Sequence, residues 1–149
     1  MLAEILTPAQ AEAFRQLPVH DQSHLCRVYR YLRGSGVDDR DLLTGALLHD
    51  IGKVSTTRDR RVRLADRVAR VLLNRFVPRL LMHLSRETAA SSWKEGLVLA
   101  VHHGPLGARR AATLGCSERT CWLIAHHADR PLPPDDLLRL LAAADDACP

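Results

Sequence analysis

The run Leu42-Leu43-Thr44-Gly45-Ala46-Leu47-Leu48 is almost entirely apolar, and it ends in His49-Asp50-Ile51-Gly52-Lys53. A helix that is apolar on every face is a buried one, so this run predicts a central helix that presents an imidazole and a carboxylate at its end. Successive helical residues point about 100° apart. His49 and Asp50 can therefore share a centre only if it lies off the helix end, or if Asp50 bridges two centres and His49 holds one. A buried His-Asp pair is costly unless something charged compensates it, and a metal ion would do so. For the dipeptide alone, a polar helix end facing water is the alternative.

The 149 residues favour one domain, long enough to bury a real core. No stretch of about 18 apolar residues is present, so no membrane span is expected. Met1-Leu2-Ala3-Glu4-Ile5-Leu6 lacks the basic-then-apolar order of a signal peptide. Cys26, Cys116, Cys121 and Cys148 form no Cys-x-x-Cys pair, and reduced thiols in a cytoplasm are the economical expectation. The net charge of +4 is carried almost wholly by arginine, since Lys53 and Lys94 are the only lysines. A mildly basic chain accommodates anionic ligands. Without interleaved aromatics for stacking, nucleic acid is not an expected partner.

Helix punctuation divides the whole chain. Thr7-Pro8 reads as a cap with proline at the first helical position, and Leu17-Pro18 ends that helix. Asp21 is a candidate cap for the next, where His24, Leu25, Val28, Tyr29 and Leu32 recur at helical spacing, and Gly34-Ser35-Gly36 stops it. Asp38 or Asp39 caps the helix leading to His49, and residues 52–59 read as a polar loop. From Arg60 to Arg75, Val62, Ala65, Ala69, Leu72 and Phe76 make one stripe and Arg60, Arg63, Arg67 and Arg70 another. Asp59-Arg63 and Asp66-Arg70 are ordinary helical pairs, so the arginines read first as a solvated face and second as a collector of polyphosphate. Pro78 breaks or restarts that helix. Thr88 to His102 predicts another, with Trp93 as core or pocket wall; Pro105 starts the next, and Gly115 ends it. Ser117 caps a helix running to His126-His127 that contains Trp122. After Pro131-Leu132-Pro133-Pro134, Asp135 caps a last helix through Asp145. No strand is convincing, and the fold class is all-α.

Eight histidines are many for this length, and several stand at the ends of apolar helices. His102-His103 and His126-His127 each close such a run, while Asp145 follows Ala142-Ala143-Ala144. Polar groups so placed suggest one pocket in a bundle. Imidazole with carboxylate and no thiolate suits iron, manganese, cobalt or zinc better than calcium or magnesium.

His, then Leu-Leu-His49-Asp50-Ile-Gly-Lys53, then a late Asp resembles the HD-domain metal-dependent phosphohydrolase superfamily, over roughly His24 to Asp145. The resemblance implies a single helical bundle, residues 1–149, with the metal-site core at about 20–146 and residues 1–17 as a helical extension. It implies His24, His49, Asp50 and Asp145 as ligands. In the two-metal branch it adds a histidine from His103-Gly104-Pro105-Leu106-Gly107-Ala108 and one from Ile124-Ala125-His126-His127, read as His103 and His127. That set would hold two divalent ions, iron or manganese favoured and zinc, cobalt or nickel acceptable, with Asp50 bridging. A metal-activated hydroxide would then hydrolyse a small phosphorylated substrate, a nucleotide ester or anhydride. Lys53 would neutralise a phosphate oxygen or hold Asp50, and Arg130 would contact phosphate.

The sequence is similar to the small bacterial branch acting on diadenosine tetraphosphate, and no Gly-Tyr-Pro motif of the cyclic dinucleotide phosphodiesterases occurs. Competing positions are His20 for His24, His102 for His103, His126 for His127 and Asp146 for Asp145; His83 reads as a surface residue. Rival functions on the same ligands are a di-iron oxygenase and a non-catalytic metal- or nucleotide-binding module.

Overall fold

The structure, a computed structural model, describes residues 2–54, 64–77, 81 and 95–148. Its helices are α1 (Leu2–Ile5), α2 (Pro8–Arg15), α3 (Val19–Gly34), α4 (Arg40–Leu48), α5 (Leu64–Phe76), α6 (Glu95–Thr113), α7 (Glu118–His126) and α8 (Asp136–Ala147), with one 3-10 turn at Ile51–Lys53. No strand occurs among the described residues, so the all-α expectation holds. None of their helices is long and apolar enough to cross a membrane.

Local chemistry sets the helix ends. Thr7 and Gln10 form a reciprocal capping box at α2. Asp39, Ser117 and Asp135 accept from the backbone N–H of Leu42, Thr120 and Leu138, which satisfies donors that α4, α7 and α8 would otherwise leave bare. Gly36 and Gly115, at φ 81° and 73°, turn the chain after α3 and α6 in a conformation that glycine adopts without strain. Asp21 is not a cap: α3 already begins at Val19 after Pro18, and Asp21 lies buried in its first turn. Proline presets the helical entry here without a side-chain hydrogen bond.

α4 is the central element. Every residue from Leu42 to Leu48 is buried, packed by α3, α7 and α8. Leu25, Leu32, Leu123, Ile124, Leu138 and Leu141 are fully buried around it, each worth about 1.5–3 kcal/mol relative to exposure. Leu6, Phe14 and Leu17 join the same core from the N-terminal segments.

One further expectation changes. The helix break expected between His102 and Pro105 is a kink within α6, at His102 (φ −107°, ψ 16°). Pro105 lacks an N–H, and its ring crowds the carbonyl four residues back, at Val101. On α5 the apolar stripe at helical spacing leaves Leu72 and Phe76 exposed, with Val68, Val71 and Val77 beside them. Arg60, Arg63, His83 and Trp93 lie outside the described residues, as do the side chains of Arg67 and Arg70.

Candidate metal centre

α4 stops at Leu48, and that termination resolves the angular problem of adjacent His49 and Asp50. His49 is the C-cap, and Asp50 leaves the helix at φ −97°, ψ 3° to begin the 3-10 turn. With the helical screw broken, His49 Nε2 and Asp50 Oδ2 come within 3.9 Å on one side. His103 follows the kink of α6, His127 caps the C-terminus of α7, and Asp145 projects from α8 towards His24 of α3.

Each of the four imidazoles has its Nδ1 against a backbone carbonyl oxygen. His49 meets Ala46 at 3.2 Å, His103 meets Ala100 at 3.1 Å, His127 meets Ile124 at 2.8 Å and His24 meets Cys148 at 2.6 Å. A carbonyl only accepts, so each Nδ1 must donate, and each Nε2 presents a lone pair unless the ring is a cation. His103 Nε2 and His127 Nε2 then face each other at 3.2 Å. Burial, reinforced by His49 and His103, pushes His127 down to about 3, so at neutral pH the His127 ring brings no second proton to that contact. His49 Nε2 is buried without a hydrogen-bond partner.

Negative charge sits among these nitrogens. Asp50 is 2% exposed and directs Oδ2 to Lys53 Nζ at 2.5 Å, while Oδ1 faces His103 Nε2 at 3.9 Å. Burial works to raise this carboxyl, yet His49, Lys53, His103 and His127 together hold it well below the usual carboxylate range. Asp145 Oδ1 lies 2.8 Å from His24 Nε2 and 3.4 Å from His49 Nε2, and those two rings likewise overcome its burial and hold it ionised. Burial pushes His49 down, but Asp50 and Asp145 outweigh it and its proton is held more tightly than usual. The two carboxylates thus favour positive charge at this interior position.

A divalent ion fits this donor set. Three groups have ligand atoms within 4.8 Å of one another: His24, His49 and Asp50; His49, His127 and Asp145; Asp50, His103 and His127. Nitrogen and oxygen ligands about 2.1 Å from one ion stand about 3.0–3.4 Å apart, close to the His24–Asp145, His49–Asp145 and His103–His127 separations. The pairing of Nδ1 with a carbonyl is the outer arrangement that fixes histidine ligands on metals.

Three glycines allow this convergence. A Cβ on Gly52 would lie 2.0 Å from the His103 carbonyl oxygen, one on Gly104 2.6 Å from the Ala125 oxygen, and one on Gly107 3.1 Å from Ile124 Cγ2. The turn after α4 is thus pressed directly onto α6, and α6 onto α7. Arg110 reinforces the contact by donating to the Ile51 carbonyl oxygen at 3.2 Å.

A protein-family model described as the HD domain matches residues 22–148. The chain belongs to the HD domain family. No significant match was found among curated proteins or among solved structures. HD domains bind divalent metals and are generally hydrolases, and the His/Asp cluster of this HD domain is able to hold such ions.

All six residues expected as ligands, His24, His49, Asp50, His103, His127 and Asp145, occur in these groups, with Lys53 on Asp50. Arg130 sits at the rim: it donates to the His127 carbonyl oxygen at 3.2 Å and pairs with Asp146 at 3.6 Å. The competing positions fall outside. The side chain of His20 is 72% exposed beside Asp21, and that of Asp146 is 70% exposed. His126 pairs with Asp129 at 2.6 Å and stacks near Trp122, while His102 is half-buried and absent from the groups. Sequence reasoning missed Arg110, the carbonyl partners of the histidines, and the packing role of Gly104 and Gly107. Only the glycines carried a signal, in their spacing beside His103.

Proposed function

We propose that this HD domain is a metal-dependent phosphohydrolase acting on an ester or anhydride of a nucleotide, with His24, His49, Asp50, His103, His127 and Asp145 holding two divalent transition-metal ions. The observation that carries the reading is Asp50, whose two oxygens face different histidines, Oδ2 towards His49 and Oδ1 towards His103. A buried carboxylate shared in this way suits a bridge between His24, His49 and Asp145 on one side and His103 and His127 on the other. Imidazole and carboxylate without thiolate favour iron or manganese, with zinc, cobalt and nickel as further candidates.

Two such ions, when bound, supply an acidified water near neutral pH and positive charge against phosphoryl oxygens. The chain supplies the rest. Lys53 holds the Asp50 carboxylate in place and would add a cation beside the reacting phosphoryl group. Arg130, anchored on the His127 carbonyl, exchanges Asp146 for a phosphate oxygen of the substrate. The carbonyls on each Nδ1 hold the rings turned inward, with Nε2 towards the ions.

Phosphate release from a nucleotide panel, including mononucleotides, nucleoside polyphosphates and diadenosine tetraphosphate, tests the reading on protein reconstituted with iron or manganese. Turnover that disappears in Asp50→Ala supports it. Oxygen uptake by reduced, iron-loaded protein without phosphate release would favour a di-iron oxygenase, and nucleotide binding with neither reaction would favour a regulatory module.

A further inference from the structure

His24 differs from the other three histidines in what fixes its ring. His49, His103 and His127 each use the carbonyl three residues earlier in their own segment. The Ala46 and Ile124 carbonyls lie in the last turns of α4 and α7, where helical carbonyls lack ladder partners, and that of Ala100 lies just before the kink of α6. His24 sits inside α3, where the ladder uses nearby carbonyls. Its Nδ1 donates instead to Cys148, 124 residues away, at 2.6 Å. Cys148 is nine-tenths buried in the core, and its N–H closes a turn onto the Asp145 carbonyl at 3.1 Å. One short segment therefore presents Asp145 Oδ1 to His24 Nε2 and a carbonyl to His24 Nδ1.

Resting on the two-metal reading above, we propose that Cys148 is a positioning residue whose backbone carbonyl orients His24, so that the His24–Asp145 half of the centre forms only when the end of α8 is docked on α3. The His103–His127 half is set locally and does not depend on that docking. Metal binding at the first half in turn ties the last turn of α8 to α3.

Zinc is the probe, with binding followed by calorimetry and ring tautomers by nitrogen-15 imidazole shifts. A chain ending at Ala147 loses the carbonyl, a chain ending at Cys148 keeps an acceptor there, and Cys148→Ala removes only the thiol. The Ala147-ended chain should bind one zinc as the intact protein does and the second roughly 10- to 100-fold more weakly, and before zinc is added its His24 shift should no longer be that of an Nδ1-protonated ring. The other two variants should match the intact protein. Unchanged affinity in the Ala147-ended chain, or an equal loss in Cys148→Ala, would overturn the proposal.

Hydrogen exchange on the intact chain gives an independent answer if the shortened chain fails to fold. Zinc should slow exchange at residues 145–148 together with the first turns of α3, and unaltered exchange there overturns the proposal as well. An intact protein that binds no zinc contradicts the metal reading itself, which separates the two failures.

Discussion

Gly52 and His103 are in backbone contact: a Cβ on Gly52 would stand 2.0 Å from the His103 carbonyl oxygen and 2.6 Å from Gly107 N. Neither atom belongs to a flexible side chain, so Gly52→Ala must push α6 away from the turn that carries Asp50. Overpacking of this kind costs about 1–3 kcal/mol, and here it also separates Asp50 from His103. Gly45, inside α4, has its nearest neighbour 3.8 Å from a Cβ. Gly45→Ala should be neutral or stabilise by about 0.4–1 kcal/mol. Thermal melts with and without metal distinguish the two: Gly52→Ala should lose both stability and the metal-induced increase in Tm, and Gly45→Ala neither.

His24 and His127 belong to the cluster, whereas their competitors lie outside it, His20 exposed beside Asp21 and His126 on Asp129. His24→Ala and His127→Ala should each remove metal, whereas His20→Ala and His126→Ala should retain it. The measurement is metal per chain after desalting. Loss in His20→Ala or His126→Ala at the level of their partners would show that the helix registers are wrong.

The metal-free protein should weaken in mild acid. His127 is held near 3 by burial and its neighbouring rings, against about 6.5 in an unfolded chain. Between those values the unfolded chain takes up a proton that the folded one refuses, so stability falls as pH falls. His49 behaves oppositely, since its raised affinity for the proton contributes fully below about 6.5 and is lost as pH rises through the folded value. Asp50 and Asp145, both lowered, add to the acid loss as pH drops below their ordinary range. From about pH 5.5 to 4 the His49 contribution is saturated, and the urea midpoint of chelator-treated protein should decline. A flat midpoint over that interval would contradict the burial assigned to His127.

Cys116 and Cys121 are the residues before the Ser117 cap and at the fourth position of α7, where apolar side chains staple a helix entry. Burial, then Cys121 and Asp41, push the Cys116 thiol up to about 11. At pH 8 its thiolate fraction, and hence its alkylation by iodoacetamide, should be roughly two orders of magnitude below that of an ordinary thiol. Peptide mapping of native against unfolded protein checks this, and equal labelling would contradict it.

Much of this architecture is legible along the chain because caps, prolines and apolar periodicity act locally. Thr7, Asp39, Ser117 and Asp135 announce their helices, and the apolar run into His49-Asp50 identifies the central one. What escaped depends on contacts between segments distant in sequence. Asp21 has the chemistry of a cap, but Pro18 had already started α3. The α5 stripe has helical spacing, yet spacing cannot tell whether a neighbour covers Leu72 and Phe76, and both are exposed. Arg110 on Ile51 and Cys148 on His24 are pairings of 59 and 124 residues' separation, with no local signature.

Metal content of untagged protein, measured by plasma mass spectrometry beside Asp50→Ala, is the decisive measurement for the two-ion site. The unaltered protein should hold two equivalents of a transition metal and Asp50→Ala neither, because in the proposed site one buried carboxylate serves both positions. No metal after reconstitution, or stoichiometric metal retained in Asp50→Ala, would contradict it.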